Sequence, residues 1–169
     1  MIAVRPGTET DWPRIWTMFD AVVQRGDAFV FESIKDQDAF SIWFGPNVNS
    51  FVAEDQGQVV GAYYLRRNLP GRASHVANAT YVVNESNRGQ GIGQRLGEHS
   101  ISAAKELGYV AIQFNCVVST NEAAIRLWNL LGFQVIGTVP KAFQHAKLGA
   151  VDVLIMHRFC GDIEHKVLT

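Results

Sequence analysis

Apolar positions along the chain alternate between helical and strand spacing, and the switches between the two periods mark out the elements. Residues 2–5 read as a short strand stopped by Pro6-Gly7. Trp12, Ile15, Trp16, Phe19, Val22 and Val23 form one stripe of a helix. Thr10 or Asp11 can cap it, Pro13 is tolerated in its first turn, and Arg25-Gly26 end it. Asp36 caps a shorter helix that runs to Phe44 and stops at Gly45-Pro46. Residues 50–54 and 58–67 make a hairpin about Asp55-Gln56-Gly57, and residues 75–83 are the next strand. On that strand Val76, Asn78, Thr80 and Val82 share one face, while Ala77, Ala79, Tyr81 and Val83 share the other.

A second long helix follows, with Ile92, Leu96, Ser100, Ala103 and Leu107 pointing inward and Gly108 as its stop. Residues 109–118 are strongly β-patterned. Thr120 then opens a helix whose stripe is Ala124, Leu127, Trp128 and Leu131, ended by Gly132. Residues 133–139 and 150–158 are the last two strands, joined by a loop that contains Pro140, Phe143, His145 and Gly149. The order βααβββαβαββ predicts one α/β domain with a mixed sheet over residues 1–160, leaving 161–169 as a tail without a pattern. Asn78 and Asn115 stand out because both interrupt strands that otherwise read as buried, and a buried amide needs partners.

Composition removes several function classes. Fifteen basic and sixteen acidic side chains nearly cancel, so no basic footprint points to nucleic acid or to an anionic membrane. The two cysteines, Cys116 and Cys160, have no metal-ligand spacing, and no metal is expected. Residues 1–6 lack a signal-peptide apolar core, and no apolar run approaches membrane-spanning length. The expectation is a cytoplasmic protein with free thiols.

Between the strand at 75–83 and the helix after it lies Asn84-Glu-Ser-Asn-Arg88-Gly89-Gln90-Gly91-Ile92-Gly93. Glycines let a backbone turn tightly and approach a ligand closely, and the first amides of a helix are unpaired and sit at its positive end. A strand, a glycine turn and a helix start are a physical recipe for holding a phosphate, with Arg88 as a fixed charge. Spacing narrows the choice. Gln94 and Leu96 stand where a dinucleotide fingerprint needs its third glycine, and no Gly-Lys-Ser/Thr completes a P-loop. The remaining pattern, Arg-x-x-Gly-x-Gly, resembles the pyrophosphate-binding motif of the GCN5-related N-acetyltransferase (GNAT) family. Asn121-Glu-Ala-Ala-Ile-Arg-Leu-Trp128-Asn-Leu-Leu-Gly132-Phe133 resembles that family's second motif, one strand later as the family requires.

The resemblance implies the GNAT fold and acetyl-coenzyme A as cosubstrate. It assigns the pyrophosphate to Arg88, Gly89, Gln90, Gly91, Ile92 and Gly93, and the pantetheine arm to Asn121 and to backbone groups of Tyr81, Val82 and Val83. One of those amides, taken as that of Val83, would polarise the thioester carbonyl. The family commonly has tyrosine, often the acid for the departing thiolate, where this chain has Trp128. An indole N–H donates a hydrogen bond but is no acid near neutral pH. Core packing and thiol positioning are both open to it.

For the acceptor, residues 78, 118–121 and 137–140 resemble a subgroup that acetylates small amino or imino acids, the azetidine-2-carboxylate type. Residues 29–32, Phe-Val-Phe-Glu, resemble phosphinothricin-type enzymes. Asn78 would hold the acceptor, and Asn115 would help on the cofactor side. A lysine-like amine, near pKa 10.4, or an imino acid needs a base, acting directly or through water, whereas a free α-amine of about 8 is already partly neutral. Candidates for that base are Glu32, His75, Glu85, His145 and Asp152, with Glu32 placed in the segment that lines the family's acceptor pocket. The expected activity is N-acetyl transfer to a small free amine by direct attack in a ternary complex. The alternatives are protein or peptide N-acetylation and a non-catalytic acyl-coenzyme A sensor. Homodimers are common in such families, but nothing in the sequence fixes an interface.

Overall fold

The computed structural model describes residues 2–161. Along the chain the elements are β1 (Ala3–Pro6), α1 (Trp12–Arg25), α2 (Asp36–Phe44), β2 (Asn49–Asp55), β3 (Gln58–Arg67), β4 (Val76–Val83), α3 (Ile92–Glu106), β5 (Ala111–Val118), α4 (Glu122–Leu130), β6 (Gln134–His145) and β7 (Gly149–Phe159). The strands form one seven-stranded sheet in the order β1-β2-β3-β4-β5-β7-β6. Neighbours pair antiparallel except β4 with β5, which run parallel. This is the mixed α/β sheet that the order of patterned segments predicts.

Period-two alternation along the strands divides the core between the two faces of the sheet. On one face Ile15, Phe19, Val22, Val23 and Trp43 from α1 and α2 pack on Val52, Ala62, Tyr64 and Val82. On the other, Ile92, Leu96, Ala103 and Ala104 from α3 and Trp128 from α4 pack on Ala53, Tyr63, Leu65, Ala77, Ala79 and Phe114. Ile15, Trp43, Leu96 and Leu65 are wholly buried, and each such aliphatic or aromatic side chain contributes roughly 1.5–3 kcal/mol. Helix α3 sits close on β3 because Gly61 has no side chain. A Cβ there would come within 2.9 Å of Ile92 and 3.0 Å of Leu96.

Four sequence expectations change. Leu107 is not an inward helix position. It is the C-cap of α3, and it is 44% exposed because the chain turns away at Gly108, whose φ is +85°. In α1 the second aromatic of the stripe, Trp16, is only half-buried, and Met18 is buried in addition. The loop expected after Val139 is strand: β6 continues to His145 through a register shift between Val139 and Phe143. Pro140 is tolerated because β6 is the edge strand, and Asp152 Oδ1 accepts from the Lys141 amide at 3.0 Å, satisfying the shifted backbone. Asn115 is exposed, not buried, since β5 carries its own irregularity between Phe114 and Val117. Apart from Gly161, the expected tail lies outside the described residues.

Candidate active site

The sheet is open at one place. Pairing between β4 and β5 covers only Val76 with Ala111 and Ala77 with Ile112, after which the two strands part. Asn78 stands at the apex and bridges the gap, its Nδ2 donating to the Gln113 carbonyl at 2.9 Å. Beyond it lies a cleft of about 390 Å³, lined from β4 by residues 78–83 and from β5 by residues 114–118.

Strand parity decides which backbone groups look into this cleft. The Asn84 amide donates to Val60 O at 2.9 Å, and the Asn68 amide donates to Val76 O at 2.9 Å. Even-numbered residues of β4 therefore direct their N–H and C=O to β3. Odd-numbered ones face the other way, as His75 O does in accepting from Val110 N at 2.9 Å. Ala79, Tyr81 and Val83 thus present backbone groups to the opening. Val82, expected to join them, does not: its backbone belongs to the β3 ladder opposite Ala62, and its side chain is buried against α1.

At the mouth of the cleft β4 gives way to Asn84, which caps a single 3-10 turn at Glu85–Asn87 by accepting from the Ser86 amide at 3.2 Å. Gly89 and Gly91 both hold φ of +77°, a left-handed conformation that favours glycine, and a Cβ on either would meet nothing within 4 Å. Their outer surface is open, and Gly91 is the N-cap of α3. The first intrahelical bond runs from Arg95 N to Gly91 O at 3.0 Å, so the amides of Ile92, Gly93 and Gln94 lack helical acceptors. That arrangement fits a pyrophosphate. Gly93 is helical rather than part of the turn, and its missing Cβ makes room for Leu127 of α4, which a Cβ there would approach to 3.1 Å. The Ile92 side chain is core, so only its amide is available. Arg88 is half-exposed and sits 3.6 Å from Glu85, which also binds Arg25 of α1 at 2.7 Å. Arg25 was read from the sequence only as a helix stop.

Asn121 lines the cleft opposite β4 and caps α4, its Oδ1 accepting from the Ala124 amide at 3.2 Å. Its Nδ2 remains a donor. Trp128 lies deeper, 8% exposed, against Tyr81, Phe114 and Phe133 at ring separations of 4.7, 4.6 and 5.7 Å. It borders the cleft and packs the core at once. Tyr81 offers no substitute acid: its hydroxyl is bonded to Ser100 Oγ at 2.7 Å, and burial pushes the phenol well above its ordinary value. Cys116 also borders the cleft, but burial raises its thiol, which keeps it protonated and a poor nucleophile.

The far wall comes from α1 and the segment after it. Phe19, Val22, Phe29 and Phe31 face Tyr64, Asn78 and Thr80 across the cleft. The hairpin tip between β6 and β7 closes on this segment, with the Ala146 amide donating to Gly26 O at 2.9 Å. Glu32, the expected base, is exposed and is not among the residues that line the cleft. His75, Glu85, His145 and Asp152 do not line it either. His145 accepts from the Lys147 and Leu148 amides, and Asp152 from Lys141. Asn115 lines the cleft, with its Nδ2 donating to Asn68 Oδ1 and its Oδ1 accepting from Gln113 Nε2. The cleft thus gathers Asn78, Tyr81, Val82, Val83, Arg88, Asn115, Asn121 and Trp128, with the glycine turn at its mouth. Tyr64 and Arg66, which also line it, carry no sequence signal beyond strand parity.

No helix among the described residues is long and apolar enough to cross a membrane. Nor does any group of three or more His, Cys, Asp or Glu among them form a metal site. The sequence signature of the Acetyltransferase (GNAT) family matches residues 12–133. A GCN5-related N-acetyltransferase from Kribbella flavida has the same fold with a TM-score of 0.89, at 40% identity over 94% of this chain and 97% of that one. A ribosomal-protein-alanine N-acetyltransferase from Brucella melitensis superposes with a TM-score of 0.84, at 26% identity over 93% and 99%. An N-acetyltransferase of Schizosaccharomyces pombe, aca1, is 38% identical over 84 residues, 50% of this chain and 40% of that protein. This chain therefore matches less than half of that relative's length. With the family signature matching residues 12–133, most of the chain, this protein belongs to the Acetyltransferase (GNAT) family.

Proposed function

We propose that this protein transfers acetyl from acetyl-CoA to the amine of a small acceptor, a free amino or imino acid, by direct attack in a ternary complex. The observation that carries the reading is the parted β4–β5 edge. It joins a phosphate-binding turn at one end to an aromatic-walled space at the other. The turn and Arg88 hold the pyrophosphate. Asn121 Nδ2 and the free backbone of Val83 and Tyr81 hold the pantetheine arm as an added strand would. Asn78 has its amide nitrogen bound to β5 and keeps Oδ1 to accept from the acceptor's N–H.

Geometry moves one role. Asn78 and Val83 are five residues apart, roughly 16 Å along a strand, so an amine held at Asn78 cannot attack a carbonyl held at Val83. The amides of Ala79 and Tyr81, on the same open edge, are the donors nearer the acceptor, and the carbonyl-polarising role falls to them. The amine nitrogen bonds to the acetyl carbon, the C–S bond breaks, and the electron pair leaves on sulfur. With no carboxylate among the described residues that line the cleft, the amine's proton passes to water, and the more basic imino acids depend most on that water. A coenzyme thiol of pKa roughly 8.5 leaves without a dedicated acid. The cytoplasmic setting belongs to the same reading and agrees with the free Cys116 and Cys160.

A second reading, acetylation of a protein amino terminus, draws on the similarity to the ribosomal-protein-alanine enzyme. A thiol-release assay over a panel of amino acids, imino acids and short peptides decides between them. Turnover of free amino or imino acids supports the proposal, and turnover of peptides alone supports the second reading. Undiminished coenzyme A binding without any turnover would mark a non-catalytic sensor.

A further inference from the structure

The acceptor end of the cleft carries an unanswered positive charge. Among the described residues three guanidinium groups line the cleft, those of Arg25, Arg66 and Arg88, and no Asp or Glu does. Arg25 is paired with Asp27 at 3.3 Å and Glu85 at 2.7 Å, and Arg88 with Glu85 at 3.6 Å. Among the described residues Arg66 has no ion-pair partner. Its guanidinium carbon lies 5.6 Å from the centroid of the Tyr64 ring. Tyr64 is itself immobilised: it is 4% exposed, edge-on to Trp43 at 5.0 Å, and its hydroxyl accepts from Thr80 Oγ1 at 2.9 Å. An arginine resting on an aromatic face keeps its in-plane N–H donors free for a planar anion. In the β3–β4 register Arg66 lies directly opposite Asn78, so the two side chains rise from the same face of the sheet.

Charge and position together specify a ligand. The phosphates of the donor are held at the other end of β4, beyond Val83, so they do not answer Arg66. A molecule whose amine sits at Asn78 and whose carboxylate is two bonds away fits both residues at once. We propose that Arg66 reads the carboxylate of the acceptor and sets the specificity of the enzyme for α-amino or α-imino acids over amines that lack a free carboxylate. This inference rests on the acetyl-transfer reading above and sharpens its acceptor.

The test compares each common amino and imino acid with its own primary amide in the thiol-release assay, using wild type, Arg66→Gln and Arg66→Lys. Calorimetric titration with coenzyme A reports separately on the fold and the donor site. Wild type should prefer the acid over the amide by about 10- to 100-fold in kcat/KM, the range of a charge-assisted hydrogen bond. In Arg66→Gln that ratio should collapse, chiefly through KM for the acid, with Arg66→Lys restoring part of it and coenzyme A affinity unchanged. Equal use of acid and amide by wild type, or a preference that survives Arg66→Gln, overturns the role of Arg66 while leaving acetyl transfer standing. Absence of turnover with every acid, amide and peptide overturns the acetyl-transfer reading and this inference with it.

Discussion

Gly91 shows how one residue ties the sequence pattern to the chemistry. Its φ of +77° costs an L-residue about 1–2 kcal/mol, yet a side chain there would meet nothing within 4 Å. Gly91→Asp should therefore fold with a modest loss of melting temperature. Coenzyme A binding should fall by more than 100-fold, because a carboxylate would stand where the pyrophosphate is held. Gln90→Ala, at an exposed neighbouring position, should bind within twofold of wild type. Calorimetry on the three proteins checks the pair, and equal affinity in Gly91→Asp and wild type would refute the placement. The same scale shows what spacing alone misses. Three alternating glycines look equivalent in the sequence, but two shape the turn and Gly93 admits Leu127.

Between elements, the first strand is fastened by charge as well as by its ladder. Arg5 of β1 binds both oxygens of Asp11 at 2.9 Å and reaches Glu54 of β2 at 3.0 Å. The Asp11 carboxylate also accepts from the Thr8 amide at 2.9 Å. The hydrogen bonds from Arg5 lead in lowering its pKa to about 2 from an ordinary 3.8. A carboxylate held low when folded stabilises the protein at pH values above its unfolded value, and that stabilisation is lost as pH falls. Here the loss should fall between about pH 4 and pH 2. Arg5 is partly exposed, so a contribution of roughly 1–2 kcal/mol is reasonable. Urea titrations should find Asp11→Asn destabilised by that amount at pH 7 and the gap nearly closed at pH 2. A gap that persists at pH 2 would assign the effect to packing instead.

At the scale of the whole molecule, the cleft is closed by parts that are far apart in sequence. Gly26, with φ of +62°, ends α1, and its carbonyl receives the Ala146 amide from the β6–β7 tip. A Cβ on Gly26 would lie 2.8 Å from the Ala146 Cβ. Gly26→Ala should lift this contact, raise the acceptor KM several-fold and leave coenzyme A affinity within twofold. Steady-state kinetics beside calorimetry would show it, and an unchanged acceptor KM would exclude the tip from the acceptor site. The two ends of the cleft are also joined across the sheet, since Glu85 beside the glycine turn holds Arg25 at the end of α1.

Much of this protein is legible in its sequence because local periodicity is a direct consequence of backbone geometry. Helical stripes, period-two strands and glycines that need a left-handed φ each leave a mark within a few residues. The βααβββαβαββ order and the phosphate-binding turn at residues 88–93 follow from such marks, and with the second motif they name the donor. What the tertiary structure decided is where chain segments meet, which no local period records. The point at which β4 and β5 part determines that Ala79, Tyr81 and Val83, not Val82, offer backbone to the cleft. The irregularity in β5 leaves Asn115 exposed and bonded to Asn68, and Glu32 lies exposed outside the residues that line the cleft. The β3–β4 register sets Arg66 opposite Asn78. Strand pairing is a long-range choice among faces and registers, so these placements required the fold.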